Sequence, residues 1–552
     1  MGRLLRKLQP ILRVWPFFAL LILVYLASLD SLRFVLDDWC QIPKLANAVR
    51  GEASGWMGII DNGWLGGKPR IFFLTWLLQG VWARMWGLNA SAPYFLLGFG
   101  AHLTSCLLLG RLLRRAGVGE RAATLTALAC FVTPTSSNAL FWINCWQFVL
   151  PVAGFMILAE LYSCPLSDRR ADVAALGAAA VCTQFLGEQI LPVLYTGFAW
   201  ALASAWRRRD RRVFLRAAIP AAAAGLSLGI YFQRFVGPYL QRDGAVWNWS
   251  AAWDGIRELA SVHAGAFAPF SGFYGKGSAA PSLSTWALIG AVALTVSWTR
   301  LRRGALDERS GGVSFLPFIA AAAAVFVLCQ LPTIAGIAKG LRSMEYRYTY
   351  LSGLALTAIL TLALRGMAGR WHAPDRVKVV AAFEVILVVY LAGLTIYDLR
   401  DIWGGQKRLD DRIWAQIESQ YRPEKLFIMT DSLTIAPLMP ARSNAISDFQ
   451  DDFAISCRLR ATGKLASAAN LYVTRRYHVK YERGGWMYLP AYRDIAFRAT
   501  PDRILAVVFR YGPSFADMLD GKALVFPDFD AYKRYRTEEK FDFEPLEFSP
   551  GK

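Results

Sequence analysis

The sequence predicts a polytopic α-helical membrane protein, with interfacial helices in its first outer loop and a soluble α/β domain at its C-terminus. Composition, the spacing of apolar runs and an abrupt change of character near residue 400 predict it. Of the 552 residues, 55% are hydrophobic, with 20 Trp and 34 Phe, and mean hydropathy is +0.31. A soluble core of this size does not need so much apolar surface. The net charge is +20, yet residues 401–552 carry 23 Lys/Arg against 21 Asp/Glu, so +18 of it sits in the first 400 residues. There the basic residues punctuate hydrophobic runs, as orientation charges do, and we read no nucleic-acid partner from them.

Eleven apolar runs are long enough, with tilt, to cross a hydrocarbon core of roughly 30 Å. They lie near 14–29, 93–110, 122–140, 144–162, 173–187, 189–206, 214–235, 283–299, 313–332, 348–365 and 379–398. The first lacks an A-x-A-type cleavage site and reads as an uncleaved helix. With the N-terminus in the cytoplasm, the inner segments hold 24 basic residues, including Arg111, Arg114 and Arg115, Arg207 to Arg209, and Arg365. The opposite short loops near 141–144 and 187–189 hold none. The segment Arg70–Gly87 is apolar enough to span, but a crossing there would move 20 of the 24 charges outside. It is expected instead to lie in the interface, with Trp76, Trp82, Trp86 and Arg84 at headgroup level.

The outward parts are then the loop 30–92, the loop 236–282 and everything after about residue 400. We divide the chain into a membrane domain, 1–400, and an extracytoplasmic α/β domain, 401–552. Strand-like runs in the latter are Leu426–Met429, Leu471–Thr474 and Ile504–Phe509; helix-like stretches are Asp410–Gln420 and Ser514–Leu519. Asn248-Trp249-Ser250 and Asn89-Ala90-Ser91 fit the N-glycosylation pattern and are discounted as chance matches, because the Arg/Ala-rich composition suggests a bacterium. The eight cysteines show no metal-ligand spacing, and most lie in apolar segments as small core residues. Cys40 and Cys457 are the two able to meet outside the membrane, and nothing in the sequence says that they do.

Residues able to carry chemistry gather on the outer side. Asp37 and Asp38 follow the first span, and adjacent carboxylates at a low-dielectric boundary repel unless paired, which poises one as a base or both as a cation site. The bland reading is a helix-terminal cap. Glu188 sits in a tight outward hairpin, where it is either a site residue or a simple turn carboxylate. Lys339, Arg342 and Arg347 stand on the side where basic residues are disfavoured, and a lipid-linked phosphate or anionic headgroups would satisfy them. His102 reads as a hydrogen-bonded packing residue, Glu160 and Glu384 as snorkelling or structurally paired acids, and His263 as a surface imidazole. No P-loop, dinucleotide turn, zinc spacing or G-x-S-x-G elbow is present.

Several short segments together resemble the C-type fold of integral-membrane glycosyltransferases. They are Leu36-Asp37-Asp38-Trp39, Pro69-Arg70, His102 in a span closed by Arg111 to Arg115, Pro134 with Asn138 to Asn144, Gly187-Glu188-Gln189 before Pro192, and Tyr346 to Leu351. They are similar to segments of the dolichyl-phosphate-mannose-dependent protein O-mannosyltransferases and of bacterial relatives using polyprenyl-phosphate sugars. The resemblance covers roughly residues 10–400. It implies an inverting glycosyltransferase that moves a sugar from a polyprenyl-phosphate donor to an acceptor hydroxyl on a cell-envelope glycan, lipid or protein. Asp37 is then the first choice of base and Asp38 the second; Arg347 with Lys339 or Arg342 binds the donor phosphate; Glu188, Arg70 and Tyr346 position substrate. No cofactor is required, and a divalent cation, Mg or Mn, is compatible. The implied place is the inner membrane, among membrane lipids, with the C-terminal domain in the periplasm. Where many relatives have Lys-Glu this chain has Gly187-Glu188, and the C-terminal domain matches no repeat module, so the acceptor stays open. The competing readings are a lipid or solute transporter and a non-catalytic envelope-glycan assembly factor.

Overall fold

The computed structural model describes residues 38–51, 55–60, 70–88, 90–140, 142–163, 170–236, 247–267, 281–301, 314–338, 346–370, 374–425, 427–432, 452–465, 472–475, 479–482, 485–488, 497–510 and 522–538, with residues 19, 22, 25, 26 and 34. The outer loop after the first run forms α1 (Asp38–Val49), α2 (Gly55–Ile60) and α3 (Phe73–Trp86). The helical bundle follows as α4 (Ala92–Arg115), α5 (Glu120–Phe131), α6 (Thr135–Leu140), α7 (Trp146–Ser163), α8 (Arg170–Gln184), α9 (Leu191–Arg208), α10 (Arg211–Tyr231), α11 (Trp249–Ala266), α12 (Leu283–Leu301), α13 (Leu316–Leu328), α14 (Leu331–Ala338), α15 (Tyr350–Arg370) and α16 (Pro374–Tyr397). Short 3-10 turns occupy Ile143–Cys145, Glu188–Ile190 and Tyr346–Thr349.

Local chemistry sets these boundaries. Pro93, Pro192 and Pro317 stand in first turns, where a missing N–H costs nothing. The Asp210 carboxylate accepts the Arg212 and Val213 amides at 3.0 and 3.1 Å and opens α10, while Arg209 in the left-handed region closes α9. Asn248 of the discounted glycosylation pattern is an N-cap, its side chain accepting the Ala251 amide at 3.1 Å.

Ten of the eleven apolar runs fall on these helices; the first lies mostly outside the described residues. By length and composition six helices among the described residues are able to cross a bilayer. The pair Asp172–Gln184 and Glu188–Arg208, bent by 120° at its break, adds a seventh if taken as one span. Ala122–Phe131 and Leu283–Thr295 are apolar but shorter. Eleven crossings therefore remain an expectation. The α3 helix has 14 residues, about 21 Å at 1.5 Å per residue, too short to cross. Its Trp76, expected at headgroup level, is buried instead against Leu45, Ile59 and Phe72.

The bundle packs through small residues and polar stitches, as helices in lipid do when no water drives them together. Gly353 abuts Thr135, the Thr133 and Thr357 hydroxyls meet at 2.9 Å, and Thr361 donates to Thr126 at 3.2 Å. His102 is a packing residue here: its Nε2 donates to the Phe131 carbonyl at 3.0 Å and its Nδ1 accepts from the Tyr350 hydroxyl at 2.7 Å.

Contacts define two ends. At one end Glu160 pairs with Arg111 and Arg115 at 2.8 and 2.9 Å, the Arg216 guanidinium reaches the Leu161 carbonyl at 2.8 Å, and Arg365 pairs with Glu384 at 3.3 Å. These residues lie toward the C-terminal ends of α4, α7 and α15, near the start of α10 and in the first half of α16. The opposite end gathers α1, α3 and the three 3-10 turns.

The division at residue 400 falls inside a continuous helix. After α16 the chain passes through a π-helical segment, Asp398–Trp403, into α17 (Gly404–Gln420) without a break. Beyond it lie β1 (Phe427–Ser432), α18 (Asp452–Ala461), β2 (Tyr472–Arg475), β3 (Val479–Glu482), β4 (Gly485–Tyr488), β5 (Phe497–Ala499), β6 (Ile504–Arg510), β7 (Lys522–Phe526) and α19 (Phe529–Glu538). One sheet has the order β2-β1-β6-β7, in which β1 is parallel to β2 and β6 and β7 runs antiparallel; the other is β3-β4-β5. The expected helix 514–519 lies outside the described residues.

The Arg365–Glu384 pair yields a test, because both side chains are almost wholly buried and removing one partner of such a pair costs about 3–5 kcal/mol. Glu384→Gln is expected to lower the thermal midpoint of the detergent-purified protein by several degrees. An unchanged midpoint would show that the ion pair is not what holds α15 to α16.

Candidate functional site

The α3 helix is the spine of the site. On one side Gln41 of α1 donates to Gln79 Oε1 at 3.0 Å, and Gln79 passes its own amide hydrogen to the Ile143 carbonyl at 2.8 Å. One turn earlier the Thr75 hydroxyl donates to the Leu186 carbonyl at 2.6 Å, and the Leu74 amide to the Phe185 carbonyl at 3.1 Å. Thr75 and Gln79 are separated by about 6 Å of helix rise, so α3 holds the helix that begins at Asp38 beside the turn that carries Glu188. Gly80 lets α1 come this close, since an added Cβ would sit 2.9 Å from the Leu45 carbonyl and 2.7 Å from Val49 Cγ2.

The start of α3 is clamped by aromatic rings. Phe73 stacks on Tyr231 with centroids 5.5 Å apart and meets Phe185 at 4.8 Å. The Tyr231 hydroxyl donates to the Arg70 carbonyl at 2.8 Å. Arg70 and Glu188, both half-buried, are thereby held on segments that touch.

The next link runs through Gln189, whose amide nitrogen donates to the Tyr348 carbonyl at 3.1 Å and to the Thr333 hydroxyl at 3.3 Å. Gln330 donates to the same Tyr348 carbonyl at 3.1 Å and to the Ser352 hydroxyl at 2.6 Å. The turn Tyr346–Thr349 is thus pinned both to the segment bearing Glu188 and to the junction of α13 and α14. Gly187 is required by space, for its backbone is extended. A Cβ there would run into the Gln147 carbonyl and come within 2.7 Å of Pro151 Cγ, so the position has no room for a side chain.

Asp38 is 1% exposed and opens α1, where the helix dipole favours a carboxylate. Tyr94 is within its electrostatic reach. Asp37, Lys339 and Arg342 lie outside the described residues. The backbones of Tyr346 and Arg347 form the pinned turn; their side chains lie outside the description. The structure therefore brings together the segments of Asp38, Arg70, Glu188 and Tyr346–Thr349 at the end of the bundle opposite the arginine pairs. Among the described residues no three His, Cys, Asp or Glu side chains group as a metal would need.

Two features escaped sequence reasoning. His263, expected at the surface, is buried in α11. Its Nδ1 donates to the Leu259 carbonyl at 2.8 Å, which leaves Nε2 to accept from the Ser352 hydroxyl, also at 2.8 Å. Its apolar neighbours within the helix carried the signal, but its position in a long outer loop hid it. The second is Arg458 of α18, whose guanidinium lies 5.0 Å from the Trp39 ring and 4.4 Å from the Trp414 ring. That sandwich docks the C-terminal domain on the residue following Asp38. No local pattern in the sequence joins positions 39, 414 and 458.

No family model matches the chain, and no curated protein sequence matches it. Among solved structures, ArnT from Cupriavidus metallidurans in the apo state aligns over 78% of this chain and 84% of its own, at 15% identity and a TM-score of 0.40. ArnT from the same organism bound to undecaprenyl phosphate aligns over 83% and 89%, at 15% identity and 0.39. What this chain shares with them is a distant likeness of fold.

Burial pushes the His263 imidazole below its usual range, the bond to Leu259 only partly opposing it. Its α11 helix lies outside the candidate spans. A folded-state value below the unfolded one, near 6.5, means that the stability His263 contributes is complete above about 6.5 and is lost as pH falls through the lower folded value. The thermal midpoint is expected to drop on acidification from pH 7.5 to 5.5, and to drop less in His263→Gln. Parallel curves for the two proteins would contradict a buried imidazole held neutral in the folded state.

Proposed function

We propose that the chain is an inverting glycosyltransferase, moving a sugar from a polyprenyl-phosphate donor to an acceptor hydroxyl at the outer face of the inner membrane. The observation that carries the proposal is the gathering of the segments of Asp38, Arg70, Glu188 and Tyr346–Thr349 at one end of the bundle, with the arginine pairs at the other. The positive-inside rule assigns the arginine end to the cytoplasm. The proposed site and the C-terminal domain then face the periplasm.

The chemistry follows from what such segments offer. The donor phosphate stays at headgroup level, and Arg347, with Lys339 or Arg342, grips it as it becomes the leaving group; a guanidinium does this bidentately. With no side chain possible at position 187, no cation comes from there. The acceptor hydroxyl loses its proton to an aspartate and attacks the anomeric carbon as the bond to the phosphate oxygen breaks, which inverts the configuration in one displacement. Asp38 is almost wholly buried, which favours the preceding Asp37 as the base and Asp38 as the group that orients it. Glu188 and Arg70 position the sugar. Transport is the weaker reading, because Glu160 and Glu384 in the spans are each tied to arginine at a bundle end, whereas transport commonly works through ionisable groups near mid-membrane.

Asp37→Asn and Asp38→Asn, assayed separately for sugar transfer from polyprenyl-phosphate donors, are the test. Loss of a general base is expected to lower the rate by about 10²–10⁴-fold in Asp37→Asn, with a smaller loss in Asp38→Asn. Full transfer by both would remove the catalytic assignment.

A further inference from the structure

Cys457 of α18 is disulfide-bonded, and Cys106, Cys130, Cys145, Cys182 and Cys329 are free. Of the eight cysteines in the chain this leaves Cys40 and Cys164 as partners. Cys164 follows directly on Ser163, the last residue of α7, whose final turns hold Glu160 beside Arg111 and Arg115. Ser163, its neighbour in sequence, is at the arginine end, opposite α1. A disulfide requires Cα atoms within about 7 Å. Cys40 belongs to α1, which packs on α18. The residues flanking the two cysteines already meet: Trp39 precedes Cys40, Arg458 follows Cys457, and their ring and guanidinium lie 5.0 Å apart. Farther along the same two helices Lys44 and Arg460 are close enough to repel, so the helices run side by side.

We propose that Cys40 and Cys457 form a disulfide that staples the C-terminal domain to the helix beginning at Asp38, and that this staple completes the proposed site only in an oxidising compartment. The bond forms by thiol–disulfide exchange. The two thiols give up two protons and two electrons to a disulfide oxidant of the extracytoplasmic space, which leaves as a dithiol. Among the described residues no other covalent link ties helix α1 to the C-terminal domain. The staple fixes it two residues past Asp38, where an error of an ångström matters to a proton transfer. The part concerning site completion rests on the glycosyltransferase reading; the pairing does not.

The experiment uses the full chain in membranes and reads the two parts separately. Digestion without reductant, followed by mass spectrometry, is expected to yield a peptide joining Cys40 to Cys457. Because Cys457 is buried, the protein is alkylated unreduced but denatured; a maleimide polymer is then expected to add one label in Cys40→Ser relative to the parent, the freed Cys457, and none in Cys164→Ser beyond the loss of that residue's own. A peptide joining Cys457 to Cys164, or a Cys457 thiol already reactive in the parent, overturns the pairing. For the second part, Cys40→Ser, Cys457→Ser and the double variant are expected to lose the same fraction of transfer activity, at least tenfold, as is parent protein treated with reductant. Equal activity in all four overturns the gating while the pairing stands. An inactive parent with the mapped bond would count against the glycosyltransferase reading alone.

Discussion

The arrangement depends on the four hydrogen bonds that fasten α3 to its neighbours. Gln79 is wedged between Gln41 and the Ile143 carbonyl, while Thr75 and the Leu74 amide hold Leu186 and Phe185. The three side-chain bonds are buried, and a buried polar group that loses its partner costs about 1–3 kcal/mol. The geometry is therefore specified more sharply than apolar packing alone would manage. Without these stitches α3 is an amphipathic segment free to slide along a membrane surface, and nothing sets Asp38 at a fixed distance from Glu188. With them, one short helix measures the width of the proposed site.

From that helix the constraints extend in two directions. Toward the lipid, Gln189 and Gln330 converge on the Tyr348 carbonyl and pin the start of α15. Toward the C-terminal domain, Arg458 lies over the rings of both Trp39 and Trp414, so α1, α17 and α18 share one guanidinium. Cation–π contacts of this kind are worth about 0.5–2 kcal/mol each, modest singly but placed where a whole domain meets the bundle. The unbroken passage from α16 into α17 adds stiffness to the same joint. The C-terminal domain thus acts as part of the wall around α1 and is not a tethered appendage.

Much of this was legible in the sequence. The apolar runs from 93–110 to 379–398 fall on helices, the segment 70–87 is a short helix and not a crossing, and the strands near 427, 472 and 504 begin within a residue of where alternation placed them. The clustering of arginines at one end of the bundle was legible because arginine is costly in hydrocarbon and so marks loop ends. Glu160 and Glu384 proved paired, as acids at span ends should be. What the pattern did not carry was long-range side-chain pairing. Gln41 with Gln79, Gln189 with Tyr348 and Trp39 with Arg458 are separated by tens to hundreds of residues and leave no local periodicity. Trp76 misled because an indole suits an interface and a protein core equally well, and His263 because its bonding partners lie one turn back and 89 residues on. The division at 400 rests on a change in composition, which does not mark where a helix ends.

The central claim is that one exterior cavity receives both a lipid-linked phosphate and an acceptor, with the acid doublet and the arginine of the 346–349 turn facing each other across it. A cryo-EM map of the full chain with a bound isoprenoid phosphate tests that most directly. The account predicts density for the phosphate head between the Asp37–Asp38 pair and Arg347, at the bundle end opposite Glu160 and Glu384. Density at the arginine-paired end, or a head group that leaves Asp37 and Arg347 too far apart to share one lipid-linked sugar, would contradict it.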